Sequence, residues 1–279
     1  MTPTLFLLTA HTNLHVGSGD ANFGIIDNLV QRDVLTKYPT IHESGLKGAL
    51  KEYFSHLIKV RDQLIKIEDV HKKDEIKKTF GNSDDAGNYR FYGAHLLTFP
   101  VRTNQELFLH ASTPRLLADF LSFAKLFEIK LVDEQAIQNL IREEPAVGKP
   151  FVFTPKLAGR KVEHRDILTQ LAPNTHTLPQ WLTGNEGFVL FHDTDFSQRI
   201  CGLNQLPVVA RNALQDGRSV NLWYEEMVPR QTRFYALIQP QDKTIYDDWF
   251  FDNLKIVQVG ANASIGQGLL AFSKLQTRP

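Results

Sequence analysis

Leu5-Phe6-Leu7-Leu8-Thr9-Ala10 opens into the polar, glycine-bearing run His15-Val16-Gly17-Ser18-Gly19-Asp20, and the chain then turns helical at Ser44. The first run is too short and too uniformly apolar for a helix and reads as a buried strand feeding a loop. From Ser44, a plausible N-cap, Leu46, Ala49, Leu50, Tyr53, Phe54, Leu57 and Ile58 recur at three- and four-residue spacing, the mark of an amphipathic helix. Lys47 and Lys51 share one face of it. A charged segment, Lys59 to Lys78, follows, with more cations than acids. Strand, long loop, helix is the opening from which the rest of the fold is read.

Further along, Leu96-Leu97-Thr98-Phe99-Pro100-Val101 is another apolar strand, Pro114 to Phe127 is apolar almost all round as a buried helix would be, and Asp133 to Arg142 is a shorter amphipathic helix. Between Pro145 and Gln180 the periodicity fades into an irregular surface excursion. Strands return at 188–191, 234–238, 254–259 and 269–272. With no regular βαβ alternation, the order favours an α+β fold over a doubly wound parallel sheet. No internal repeat is present.

The 279 residues carry 31 Lys+Arg against 31 Asp+Glu, a formal charge of zero. That balance excludes an indiscriminate nucleic-acid coat but not a local cationic path. At 42% hydrophobic and 22% charged the chain is globular and not disordered. The single cysteine, Cys201, excludes an intrachain disulfide and suits a reducing compartment, so a cytoplasmic protein is expected. The first apolar run lacks a basic flank and a cleavage site, which argues against a signal peptide. Nowhere do about 18 apolar residues run together, and no membrane association is expected.

Three stretches bear on chemistry. Gly260-Ala261-Asn262-Ala263-Ser264-Ile265-Gly266-Gln267-Gly268 is glycine-rich enough to cradle a phosphate, yet lacks the Lys-Ser/Thr pair and following helix of a P-loop, so a structural turn stays open as the other reading. His15, Asp20, Asp27 and Asp33 put a histidine near carboxylates, the raw material of acid–base or metal-assisted chemistry; without metal-ligand spacing, such residues in a loop are more often solvated turn formers than catalysts. Leu206 to Ala210 and Val220 to Tyr224 flank a turn at Asp216-Gly217-Arg218, forming a hairpin with Arg211, Trp223 and Tyr224. Arginine pairs with phosphate and aromatic rings stack on bases, so such a hairpin suits RNA; Trp223 packing on its own core is the alternative.

His15-Val16-Gly17-Ser18-Gly19, Ile26-Asp27-Asn28, Gln31-Arg32-Asp33 and Ser44-Gly45-Leu46-Lys47-Gly48-Ala49-Leu50-Lys51 resemble the opening of RAMP-superfamily CRISPR proteins. Phe80-Gly81, Leu96 to Arg102, Arg211-Asn212, Asn221 to Glu226 and the closing glycine loop extend the resemblance over nearly the whole chain, to the repeated backbone subunit of the type III-B (Cmr) effector. The resemblance implies a single RAMP domain over 1–279: a modified RNA-recognition (ferredoxin-like) palm with an inserted β-hairpin thumb near 206–228. It implies copies stacked as a filament on CRISPR guide RNA with other RAMP subunits, cleaving complementary target RNA at regular intervals through 2′-OH attack.

On that resemblance Asp27 is the metal-binding or base-assisting carboxylate, His15 its acid/base partner, and Glu225 a supporting carboxylate supplied by a neighbouring copy. A weakly bound divalent ion, Mg2+ or Mn2+, is implied at Asp27. Ser44, Gly45, Lys47, Lys51, Arg211, Arg218, Trp223, Gly260, Asn262, Gly266 and Gly268 are the implied RNA-binding residues. Two positions depart from the pattern: Met227 stands where relatives often carry Tyr, and Gly93 where they often carry Asp. A non-catalytic guide-RNA scaffold is the second reading, and a standalone guide-processing RNase a third.

Overall fold

A computed structural model of the chain describes residues 3–19, 24–65, 76–163, 167–174, 176–242 and 247–278. Asp20 and the middle of the Lys59 to Lys78 segment lie outside the described residues. The architecture is mixed α/β, built on one large mixed sheet. Strand β1 (Thr4–Ala10) runs between β12 (Arg233–Pro240) and β14 (Leu269–Lys274), antiparallel to both. On the far side of β12 lie β2 (Tyr89–Phe91) and β3 (His95–Val101), and β3 continues antiparallel into β4 (Leu109–Ser112). Beyond β4 come β9 (Phe188–Leu190), β5 (Phe151–Val152) and β8 (Gln170–Leu171); β13 (Ile256–Gln258) closes the opposite edge. The excursion before Gln180 thus contributes short strands to the sheet, including a parallel β5–β8 pair that two-residue segments are too short to announce.

Both faces of the sheet are covered, which explains why β1 is continuously apolar instead of alternating. Phe6, Leu8 and Ala10 pack with Leu46, Leu50 and Phe54 of helix α1 (Glu43–Ile65). Leu5 and Leu7 face the other way, onto Leu117, Phe120 and Ala124 of α2 (Pro114–Leu126) and Ile137 and Leu140 of α3 (Glu134–Ile141). Helix α2 begins on Thr113, whose hydroxyl accepts from the Leu116 amide, with Pro114 filling the first helical position. It is not buried all round, as its composition suggested: Leu126 is exposed, because α2 packs by one face only. A short helix, α4 (Asp247–Asn253), lies between β12 and β13.

Two local expectations need correction. Helix α1 starts one residue before Ser44, placing Ser44 inside the first turn; the amide of His42 is satisfied instead by the Gln31 side chain at 2.8 Å. Trp223 does not pack the hairpin into a core of its own. Strands β10 (Val208–Gln215) and β11 (Arg218–Glu226) form a separate two-stranded sheet with Leu214, Val220 and Leu222 exposed. Its turn is the expected one: Asp216 and Gly217 both have positive φ, 51° and 76°, the twist-matched geometry that Asp-Gly favours. Among the described residues, no helix is long and apolar enough to cross a membrane.

His110 on β4 is fully buried, and burial, with the Arg233 charge beside it, depresses its pKa to about 3. The ring is neutral at pH 7, so its 3.6 Å approach to Glu186 is not an ion pair there. The unfolded imidazole takes up its proton near pH 6.5 while the folded one does not, so stability is complete above that value and is lost as pH falls towards 3. At pH 5 the loss from this residue is expected to be about 2 kcal/mol. Thermal unfolding at pH 7 and pH 5 checks it: His110→Phe should show a smaller drop in midpoint between the two than the parent chain.

Candidate active site

The foot of the hairpin gathers the chemistry-bearing residues. Segment 24–30 runs alongside the end of β11: the amides of Asp27 and Asn28 both donate to the Tyr224 carbonyl at 3.1 Å, and Glu226 N–H donates to the Asn28 carbonyl at 2.9 Å. The Asp27 carboxylate returns the contact, Oδ2 accepting from the Tyr224 amide at 2.8 Å. Asp27 is therefore pinned in orientation yet exposed, and its Oδ1 takes no hydrogen bond among the described residues.

Strand alternation decides where the two adjacent glutamates point. Glu225 shares a face with Trp223 and, across the hairpin, Arg211. Its Oε1 accepts from Trp223 Nε1 at 2.8 Å and from Asn28 at 3.4 Å; its Oε2 accepts from Asn262 at 2.9 Å and from Arg211 at 3.4 Å. Burial alone would raise its pKa, but the Trp223 and Asn262 hydrogen bonds and the His15 and Arg211 charges outweigh it and hold the carboxyl below its usual range. Within one chain Glu225 sits with His15 and Asn28, because segment 24–30 pairs with the base of its own hairpin.

Glu226 points the other way, into the core, where it pairs with Arg32 and accepts from the Val30 amide at 3.2 Å. Its carbonyl accepts from His15 Nδ1 at 2.7 Å. Since a carbonyl only accepts, Nδ1 carries a proton, and in the neutral ring the lone pair is then on Nε2. His15 is buried, not a solvated turn residue, while Asp33 is a turn former: its Oδ1 accepts from the Leu35 and Thr36 amides at 3.0 and 2.7 Å. Met227 is buried and adds no polar group. Gly93 is a packing glycine, since a Cβ there would lie 3.0 Å from the Ile41 carbonyl.

The closing loop serves this cluster structurally. Gly260, at φ 82°, lets the loop approach so closely that a Cβ would fall 2.4 Å from the His15 carbonyl; the same carbonyl takes the Ala261 amide at 2.8 Å. Gly268 is equally confined, against the Val259 carbonyl, and Gly266 turns the chain in open space. Asn262, left-handed at φ 66°, spends its amide on Glu225 and Gln267. Arg211 and Trp223 stack on each other at 5.7 Å while both donate to Glu225. Three residues assigned to RNA thus hold a carboxylate.

The other assigned residues lie around this centre. Gln31 ties the His42 amide to the Gly17 carbonyl, setting the start of α1, with exposed Ser44 and half-buried Gly45, against the His15 loop. The amides of Glu43, Ser44 and Gly45 precede the first intrahelical bond, that of Leu46 to His42, and, having no partner among the described residues, can face an anion. Lys47 is half-buried one turn on; Lys51 donates to the Gly81 carbonyl at 3.2 Å. Arg218 is at the hairpin tip, seven residues and about 23 Å along the strand from Glu225. Sequence reasoning missed Asn28, Arg32 and Glu226; the adjacent acids Glu225 and Glu226, both buried where β11 meets the body of the protein, were the signal available.

Among the described residues no group of three His, Cys, Asp or Glu side chains is arranged to hold a metal. Glu225 has both oxygens engaged, leaving Asp27 as the open carboxylate. This donor set suits a largely hydrated hard cation sharing its ligands with a substrate, not a caged ion.

The model of the RAMP superfamily matches residues 7–271. The CRISPR system CMR subunit Cmr4 of Saccharolobus solfataricus is 30% identical, the match covering 95% of this chain and 94% of that one. The CRISPR system Cmr endoribonuclease Cmr4 of Pyrococcus furiosus is 25% identical over 93% and 91% of the two chains. A chain of the type III-B Cmr-beta complex in its apo state superposes with a TM-score of 0.79 at 23% identity, over 99% of this chain and 98% of that one. With the match to its model running from β1 into β14, the chain belongs to the RAMP superfamily.

Proposed function

We propose that this chain is the backbone subunit of a type III-B CRISPR effector, binding guide RNA as a filament in the cytoplasm and cutting complementary target RNA. The observation that carries the reading is the assembly of Asp27, His15 and ionised Glu225 around the foot of one exposed hairpin. The full-length relation to a protein named as a Cmr endoribonuclease supports it. The strand order β14-β1-β12-β3, fourth-first-third-second with α1 and α4 as the two crossovers, supports a ferredoxin-like palm. The projecting β10–β11 hairpin supports the thumb, and the continuous sheet supports one domain over 1–279.

In this reading the target's own 2′-OH is the nucleophile. His15 Nε2 takes its proton, the O2′–P bond forms, and the P–O5′ bond breaks, the leaving O5′ taking a proton from solvent water, to give a 2′,3′-cyclic phosphate and a 5′-OH. Glu225, held ionised, favours the imidazolium that His15 becomes and is not itself a proton donor. Asp27 is fixed facing solvent, where RNA would arrive. A divalent ion, Mg2+ or Mn2+, would be held by Asp27 together with water and phosphate oxygens, and would supply charge neutralisation. The start of α1, from Ser44 and Gly45 to Lys47 and Lys51, with Arg218 at the hairpin tip, holds RNA through its backbone, while base pairing reads sequence.

Reconstitution with guide RNA and sister subunits tests this. Regularly spaced, chelator-sensitive cuts in complementary RNA are expected; none, with Asp27 intact, would leave a non-catalytic scaffold. Cleavage of repeat RNA by the isolated subunit would instead indicate a guide-processing enzyme.

Asn262 is a positioning residue in this scheme. Asn262→Gly keeps the left-handed backbone and removes one donor from Glu225, so the Glu225 pKa rises towards its ordinary value. A carboxyl NMR titration of Glu225 should move to higher pH in Asn262→Gly while the cleavage rate near neutrality changes little. An unmoved carboxyl titration counts against the role.

A further inference from the structure

We infer that a second RNA-binding groove, lined by arginine and apolar rings, runs between the foot of the hairpin and the β3–β4 turn. The groove encloses about 640 Å³. Arg102, Arg199 and Arg230 line it, over an apolar floor that includes Phe108, Pro207 and Pro229. Pro207 and Pro229 bracket β10 and β11, so the groove begins where the hairpin leaves the body of the protein.

Its chemistry selects the occupant. Arg102 is partly matched by Glu163 at 3.3 Å, the one acid in the lining, and Arg199 by Asp195 behind it at 3.4 Å. Arg230 is exposed and has no carboxylate partner among the described residues. Leu107, at the rim, is 87% exposed. In a chain of zero net charge, cations from residues 102, 199 and 230 converge on one concavity with a hydrophobic floor. Guanidinium groups beside surfaces on which a base can lie are the features of single-stranded nucleic-acid sites. Gln205 and Gln231 add donors and acceptors without sequence preference. An acidic peptide would satisfy the arginines but leave the ring-lined floor without a planar partner. The inference rests on the RNA-binding reading above and adds to it Arg199 and Arg230, which lie outside the stretches that carry the motif resemblance.

The test uses the full chain and an oligouridine single strand. Cys201 is fully buried, so Leu107→Cys supplies the accessible thiol for a fluorophore. The dye should respond on RNA addition. Arg230→Glu should weaken binding about tenfold and reduce the slope of log K against log salt by about 0.7, the value of one lost contact to a single-stranded phosphate, with unchanged thermal unfolding. A silent dye with unaltered affinity in Arg230→Glu overturns the groove while leaving the wider reading standing. Failure of the parent chain, assembled with its sister subunits, to bind RNA overturns both. A dye that answers to those subunits but not to RNA assigns the groove to protein and also overturns the inference. In the reconstituted complex, a photo-crosslinker at Leu107→Cys then reports whether guide or target occupies the groove.

Discussion

Replacing Glu226 with alanine is expected to lower stability by about 3–5 kcal/mol, the cost of leaving a buried charge without its partner. Glu226 is 1% exposed and Arg32 is almost as deep, with an Nε that already has no acceptor. The other Arg32 bonds, to the Lys37 and Gly202 carbonyls, neutralise nothing. Truncation also strips the Val30 amide of its acceptor. A loss of that size is a large share of the roughly 5–15 kcal/mol that holds a domain together. The double change Arg32→Met with Glu226→Leu should recover most of it, because well-packed apolar residues replace a buried ion pair at little or no cost. Urea unfolding of the three proteins decides: a Glu226→Ala midpoint equal to the parent's would show that the pair contributes nothing. The loss should reach the site as well, since the Glu226 carbonyl fixes the proton on His15.

That ion pair also marks where sequence reasoning stopped. Local pattern was enough for β1, for α1 and for the Asp216-Gly217 turn, because each is written in neighbouring residues: an apolar run, a helical period, a dipeptide that tolerates positive φ. Arg32 and Glu226 lie 194 positions apart, and only the pairing of segment 24–30 with β11 brings them together. The same pairing sets Glu225 beside Asn28. Asn262 was legible as part of a turn, but not as a donor to Glu225, since nothing near it in sequence names its acceptor. The one-sided burial of α2 was hidden for a related reason: Leu126 reads as core by composition, and exposure is set by which face meets the sheet.

Converting Asp27 to asparagine should reduce target cleavage by roughly 10²–10⁴-fold, the usual weight of a positioned acid–base or charge-handling group, without loss of guide or target binding. Asparagine is the informative change. Its side-chain oxygen can still accept from the Tyr224 amide, so the segment keeps its pairing with β11 and only the negative charge is lost. Alanine removes both the charge and the acceptor, and so confounds chemistry with placement. If Asp27→Asn cuts at the parent rate and Asp27→Ala does not, Asp27 is an anchor for the Tyr224 amide, and the chemistry falls to His15 with its lone pair on Nε2. If both are inactive under single-turnover conditions while RNA binding persists, the charge itself is required.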